Sequence, residues 1–153
     1  NLPMQGGKGF SFITEKNEAL NFSTPMILAE EKVAVTPYSD YVRFGGTMML
    51  GVNDLTINNR RINNIRNAAN SYINGLDISE SSMKDIWAGL RPCSPDGIPY
   101  IGRSDSLSNL VIAAGHAMMG VSLGPATGKI INDLINENNT DLDIQKMNLN
   151  RFT

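Results

Sequence analysis

The segment "WAGLRPCSPDGIPYIG", residues 87–102, contains one arginine, three prolines and three glycines, and few residues typical of a regular helix or strand. Two interpretations of its arginine, Arg91, are open. It is either a solvated side chain of a polar loop or a fixed receptor for a carboxylate, which a guanidinium binds through two parallel hydrogen bonds. Pro92 restricts the backbone before it and favours the second use.

The composition of the chain limits the classes of protein to which it can belong. It has 153 residues, of which 41% are hydrophobic and 18% charged, as expected for one globular domain rather than a disordered chain. A net charge of -2 without a basic run argues against a nucleic-acid partner. The single cysteine, Cys93, excludes an internal disulfide, and no cluster of metal-ligand residues is evident. The apolar runs are too short to predict a membrane span.

The sequence before Arg91 predicts several strands. Residues 7–14 alternate aromatic and small side chains, and residues 25–50 predict two or three further strands. The "PYSD" segment, residues 37–40, predicts a hairpin turn, and Gly45-Gly46 predicts a bulge or a close backbone approach. Residues 83–92 predict one more strand, which leads into the Pro- and Gly-rich segment.

One helix is predicted over residues 58–75. Its apolar positions recur every three or four residues, at Ile62, Ile65, Ala69, Tyr72 and Ile73, and Gly75 is a natural stop. The other face is predicted to be solvated, and it carries Arg60, Arg61 and Arg66.

Residues 109–135 predict a buried strand, a Gly-rich turn and a second helix. The strand is expected at 109–115, and the helix is expected to start between Gly120 and Thr127. The start of a helix offers unpaired N–H groups to an electron-rich oxygen, and small residues let a ligand come close. The alternative is that these glycines serve only to pack the helix on the strand. The tail after the helix is expected to be peripheral.

His116 and Tyr100 each have two interpretations. A lone histidine is commonly structural, but His116 follows a strand end, where ligands bind in α/β sheets. Neither a hydrolase triad nor a set of metal ligands accompanies it. Tyr100 is either a packed turn aromatic or a residue beside a ligand.

The segments containing Arg91 and His116 together resemble a known family. Gly-Leu-Arg-Pro followed by Asp-Gly-x-Pro-x-Ile-Gly, and then Gly-His and Pro-Ala-Thr-Gly, resemble the C-terminal part of the FAD-dependent D-amino acid oxidase superfamily. The likeness is greatest to glycine oxidases and to D-amino acid dehydrogenases of the small-subunit type, and it covers nearly the whole chain.

The resemblance implies an α+β fold. An antiparallel substrate-domain sheet would be joined to the C-terminal strand and helix of an FAD-binding α/β domain. The N-terminal Rossmann part of that domain is absent, since no GxGxxG fingerprint occurs in the chain. Residues 1–96 would then belong to the substrate-binding domain and residues 97–153 to the FAD-binding domain.

The resemblance also assigns residues to the site. Arg91 would hold the substrate carboxylate, and the helix after the turn would direct its N-terminus at the flavin pyrimidine oxygen, where a positive field stabilises reduced flavin. No catalytic acid or base and no metal are expected. The residues expected to bind FAD are His116, Ala117, Met118, Met119, Gly120, Val121 and Ser122.

The implied reaction is oxidation of a D-amino acid, or a glycine-like amine, to the imino acid by hydride transfer to FAD. Oxygen or a quinone would accept the electrons. The chain is expected to need an upstream FAD-binding half, to be inactive alone, and to be cytoplasmic or peripheral at the inner membrane face. A non-catalytic subunit or binding module that retains the fold is the alternative.

Overall fold

The computed structural model describes residues 2–152 as two compact units. One unit is Lys8–Leu90, and the other comprises residues 2–7 and 91–152. Within the described residues lie two α-helices, α1 (Asn59–Tyr72) and α2 (Gly120–Ile135). The strands are β1 (Gln5–Glu15), β2 (Met26–Leu28), β3 (Val33–Pro37), β4 (Tyr41–Leu50), β5 (Lys84–Cys93), β6 (Tyr100–Arg103) and β7 (Val111–Ala114).

Five strands form one sheet in the order β2-β3-β4-β1-β5. The predicted hairpin at residues 37–40 is confirmed, because β3 and β4 are antiparallel, with Val35 opposite Phe44. The strand predictions for residues 7–14, 25–50 and 83–92 are confirmed as well, with three strands in the second of these segments.

The core of the unit Lys8–Leu90 lies between the sheet and α1. Alternate residues of the strands face the helix, so Phe12 and Phe44 stack with their ring centroids 5.3 Å apart. The other buried apolar residues of this core include Phe10, Leu20, Val33, Val35, Val42, Ile62, Ile65, Ala69 and Ala88. The predicted apolar stripe of α1 is thus buried at Ile62, Ile65 and Ala69, whereas Tyr72 is exposed.

Helix α1 begins after Asn58, whose side chain accepts a hydrogen bond from the Arg61 N–H. It ends at Tyr72, three residues before the predicted stop, and Gly75 with φ +74° turns the chain. The prediction of a solvated arginine face is wrong for Arg66. Its side chain is mostly buried, pairs with Glu80 at 3.3 Å, and leaves its Nε without a partner.

The predicted close backbone approach occurs at Gly46. A Cβ on this residue would lie 2.8 Å from the Lys32 carbonyl oxygen, which only a glycine permits. The next residue, Thr47, has φ +52°, and its N–H donates to the same carbonyl.

The second unit contains the antiparallel pair β6 and β7, with Ile101 opposite Ala113. Strand β6 lies in a segment whose sequence predicts irregular structure. The strand predicted at 109–115 is present as β7. The prediction that it is buried is wrong, because β7 is half-buried or exposed along its length. Among the described residues β7 pairs only with β6, and α2 contacts both strands.

Helix α2 starts within the predicted range, at Gly120. Of the apolar residues of this helix, Ile130 is buried, Ile131 and Leu134 are half-buried, and Ala126 and Ile135 are exposed.

The expectation of a peripheral tail is wrong as well. Leu149 is buried, and Arg151 hydrogen-bonds to Asp96 and to the Ile98 carbonyl.

Candidate functional site

Arg91 lies near the end of β5, within the second unit. Its side chain is half-buried, and among residues 2–152 no hydrogen-bond acceptor or carboxylate partner is found for its guanidinium. In contrast, Arg103, the last residue of β6, donates to the carbonyls of Leu134 and Ile135 at the end of α2. Arg91 therefore keeps its full set of donors for an anion.

The loop that follows β5 is held by hydrogen bonds from both of its ends. The Ser94 hydroxyl donates to the Ile98 carbonyl at 2.8 Å, and the Ile98 N–H donates to Asp96 Oδ1 at 3.0 Å. Arg151 donates to both carboxylate oxygens of Asp96 at 3.0 Å, and these bonds lower the pKa of Asp96 to about 2. These bonds fix the part of the loop from Ser94 to Ile98, which follows Arg91 in the sequence.

Tyr100 is a structural residue of this unit. It is fully buried, its hydroxyl donates to the Pro3 carbonyl at 2.8 Å, and the Arg151 guanidinium lies 3.8 Å from its ring centroid. These contacts leave the side chain no access to a ligand, so the packed-aromatic interpretation of Tyr100 is the correct one.

The loop after β7 is joined directly to the end of β5. His116 forms an isolated antiparallel bridge with Cys93, and the Ala117 N–H donates to the Pro92 carbonyl at 2.9 Å. Ala117 itself has φ +46°, a conformation uncommon for a residue with a side chain. The backbone of the predicted FAD-binding loop therefore bonds to the residue next to Arg91.

Gly115 is required at the start of that loop for two reasons. Its φ is +81°, and a Cβ there would lie 3.2 Å from Tyr100 Cδ2. The sharp turn directly after β7 depends on both properties.

The side chain of His116 contacts α2. Its Nε2 lies 3.0 Å from the Thr127 hydroxyl, and its carbonyl accepts the Met119 N–H at 2.9 Å. His116 thus fixes the loop at the helix. Sequence reasoning gave no role to Thr127, although this residue lies inside the Pro-Ala-Thr-Gly motif.

The start of α2 is open to a ligand. The residue before it, Met119, provides no side-chain cap, and no acceptor among the described residues is found for the N–H groups of Gly120, Val121 and Ser122. The side chain of Val121 is 95% exposed, and Met118 is 66% exposed. Exposed apolar side chains beside free N–H donors fit a flat, partly apolar ring that bears carbonyl oxygens, as the flavin of FAD does.

Other kinds of site find no support in residues 2–152. No group of three or more His, Cys, Asp or Glu side chains there is placed to hold a metal ion. No helix in that part of the chain is long and apolar enough to cross a membrane.

The chain is similar to known proteins over most of its length. A family model described as FAD dependent oxidoreductase matches residues 1–134. A D-amino acid dehydrogenase of Helicobacter pylori is 34% identical over 145 residues. The match covers 91% of this chain and 34% of the relative, so the chain spans about a third of the length of the curated relatives it matches.

Solved structures agree with this match. Glycine oxidase from Geobacillus kaustophilus superposes with a TM-score of 0.86 at 25% identity, covering 100% of this chain and 40% of that one. L-proline dehydrogenase from P. horikoshii has the same fold, with a TM-score of 0.84 at 23% identity over 99% of this chain and 41% of its own.

Proposed function

Since the chain belongs to the FAD dependent oxidoreductase family, we propose that it is the C-terminal part of an enzyme that oxidises a D-amino acid or a glycine-like amine to the imino acid. The names of its relatives support this substrate class, because they include a D-amino acid dehydrogenase and a glycine oxidase.

The unpaired guanidinium of Arg91 is the observation that carries the proposal. An arginine without a carboxylate partner, on the strand end that hydrogen-bonds to the FAD-binding loop, is suited to hold a substrate carboxylate through two parallel bonds. Such a clamp fixes the α-carbon of an amino acid and leaves its side chain free to vary.

The loop from His116 to Ser122 is proposed to hold the flavin. The free N–H groups of Gly120, Val121 and Ser122 would donate to its carbonyl oxygens, and the positive end of the α2 dipole would favour negative charge there. Met118 and Val121 supply apolar contact area. When bound, FAD supplies the acceptor for the hydride that leaves the substrate α-carbon.

In this reaction the residues of the chain bind and orient the substrate and do not transfer protons. Oxidation of a neutral amine to an imine removes a hydride from carbon and a proton from nitrogen, and water can accept that proton. Arg91 holds the carboxylate, and His116 keeps the loop on α2 through Thr127. No acid or base side chain of this chain is assigned to the reaction.

The remaining parts of the enzyme are proposed to come from outside the chain. An N-terminal half would bind the ADP portion of FAD, and the chain would be inactive without it. Oxygen or a quinone would reoxidise the flavin, and the location would be cytoplasmic or at the inner face of the membrane.

An anaerobic visible spectrum of the full-length gene product tests the proposal. We expect a flavin band that bleaches on addition of one among D-amino acids, glycine, sarcosine and proline. A product that carries flavin but bleaches with none of them would contradict the substrate class. A product that takes up no flavin after incubation with FAD would contradict the enzyme and favour a binding module.

A further inference from the structure

A cavity of about 440 Å³ that is open to solvent lies within the unit Lys8–Leu90, and it is lined by Arg43, Asp85, Ile86 and Trp87. Its volume falls in the usual range for small-molecule sites. Arg43 comes from β4, and the other three residues come from the start of β5. None of these residues belongs to the proposed carboxylate clamp or to the FAD-binding loop.

Two opposite charges line this cavity without pairing. Arg43 Nη1 donates to the Ser11 hydroxyl at 3.2 Å, and within residues 2–152 its guanidinium forms no ion pair. Asp85 likewise accepts no hydrogen bond and forms no ion pair among the described residues. Each charged group therefore retains most of its capacity for a ligand.

The backbone holds both Asp85 and Trp87 in place. Asp85 has φ +46°, a conformation that aspartate and asparagine tolerate better than other residues with a side chain. The indole of Trp87 lies over Gly89, so closely that a Cβ on Gly89 would come within 2.0 Å of Cη2. Trp87 nevertheless remains 56% exposed, and it presents apolar area to the cavity beside Ile86.

We propose that this cavity is a second binding site, for a free amino acid with an apolar or aromatic side chain. The ligand carboxylate would pair with Arg43, its ammonium group with Asp85, and its side chain would pack on Trp87. A zwitterion is the ligand class that satisfies both charges at once, whereas a simple anion or a simple cation would leave one of them unpaired.

Trp87 is the sole tryptophan among the 153 residues, so its emission is one readout. The full-length gene product is titrated with phenylalanine, and both the tryptophan emission and the heat of binding are recorded. We expect a saturable change with phenylalanine. Phenethylamine lacks the carboxylate and 3-phenylpropanoate lacks the ammonium group, so each should bind about tenfold or more weakly.

Variants assign the binding to the cavity. Arg43→Gln and Asp85→Asn should each raise the Kd for phenylalanine about tenfold or more, and asparagine retains the backbone conformation of residue 85. Arg60→Gln on the exposed start of α1 is the matched control and should leave the Kd unchanged. Far-ultraviolet circular dichroism checks that each variant folds. If Arg43→Gln does not fold, Asp85→Asn still tests the proposal, because Asp85 is exposed.

Arg91→Gln separates this proposal from the proposed catalytic function. Binding that persists in Arg91→Gln and weakens in Asp85→Asn supports the second site. Binding that is lost in Arg91→Gln and kept in the two cavity variants would overturn it and would locate the ligand at the substrate clamp. Absence of any saturable change in the parent full-length product would overturn it too, while a flavin of that product that still bleaches with substrate would leave the catalytic function standing.

Discussion

The Nε2 atom of His116 lies 3.0 Å from the Thr127 hydroxyl and thereby ties the loop after β7 to the second turn of α2. The backbone of the same loop is tied to β5 through the Ala117 N–H and the Pro92 carbonyl. The predicted FAD-binding segment is consequently held at its first two residues, to α2 by the side chain of His116 and to β5 by the backbone of Ala117.

Thr127→Val should destabilise the chain by about 1 kcal/mol, because it removes a partly buried hydrogen bond and keeps the shape of the side chain. Thr127→Ser retains the hydroxyl and is the matched control. Urea unfolding followed by circular dichroism measures the difference. Equal midpoints for Thr127→Val and the parent chain would show that the bond contributes nothing to the fold.

Gly46→Ala should destabilise the chain by about 1–3 kcal/mol, because its Cβ would lie 2.8 Å from the Lys32 carbonyl oxygen and the backbone would have to shift. Its neighbour Gly45 offers a control, since a Cβ there meets ordinary contacts no closer than 3.5 Å. Gly45→Ala should stay within about 0.5 kcal/mol of the parent chain. The free energies of unfolding are measured in urea for both variants. Similar losses of stability in Gly46→Ala and Gly45→Ala would contradict the close contact assigned to Gly46.

These two sites show what the sequence could and could not predict. The Gly45-Gly46 pair predicted a close approach, because few other reasons place two glycines within a strand. The role of Arg91 stays a prediction, and it could be made from the motif because the prolines and glycines around this residue are close to it in the sequence. Thr127 had no such signal: its contact with His116 depends on where α2 turns, eleven residues later.

The errors in the fold share one cause. Strand β6 was not predicted because its sequence is short and follows three prolines. Its pairing with β7 cannot be seen in the sequence of either strand alone. The tail was misjudged because Arg151 contacts Asp96, which lies 55 residues earlier. Local patterns predicted the longer elements, whereas pairings between distant residues decided the rest.

Gly89→Ala should displace the indole of Trp87, because the new Cβ would come within 2.0 Å of Cη2. The ring is the far end of a side chain and can swing toward solvent, so the fold should survive. We expect a red-shifted tryptophan emission and stronger quenching by acrylamide. Gly128→Ala on α2, where a Cβ meets nothing within 4 Å, should leave the emission unchanged. An unchanged spectrum in Gly89→Ala would show that the ring does not lie there.

Asp54 should contribute a stability that depends on pH. Hydrogen bonds from the Lys8 ammonium group, at 2.7 Å, and from Thr56 lower the pKa of Asp54 from 3.8 to about 2. A carboxylate whose pKa is lower in the folded chain stabilises it fully above about pH 4, and this contribution is lost as the pH falls through 2.

The test compares the parent chain with Asp54→Asn in urea at several pH values. The parent should be more stable at pH 7 and pH 5, and the difference should shrink between pH 4 and pH 2. Asp77→Asn is the control, because Asp77 forms no hydrogen bond or ion pair among residues 2–152, and its difference from the parent should stay near zero. A difference for Asp54→Asn that does not change with pH would contradict the assigned role of the carboxylate.

Arg91→Gln in the full-length product should weaken substrate binding about 10- to 150-fold, the range expected for loss of a charged hydrogen bond. The matched control is Arg60→Gln, which removes an equal charge from an exposed helix face. Anaerobic titration of the flavin spectrum gives the Kd, and steady-state kinetics give KM and kcat/KM. Because the guanidinium binds the carboxylate alone, an amine that lacks a carboxylate should bind the variant and the parent equally. A Kd for the amino acid that Arg91→Gln leaves unchanged would remove Arg91 from the site, and the carboxylate clamp would then have to come from another residue of the full-length product.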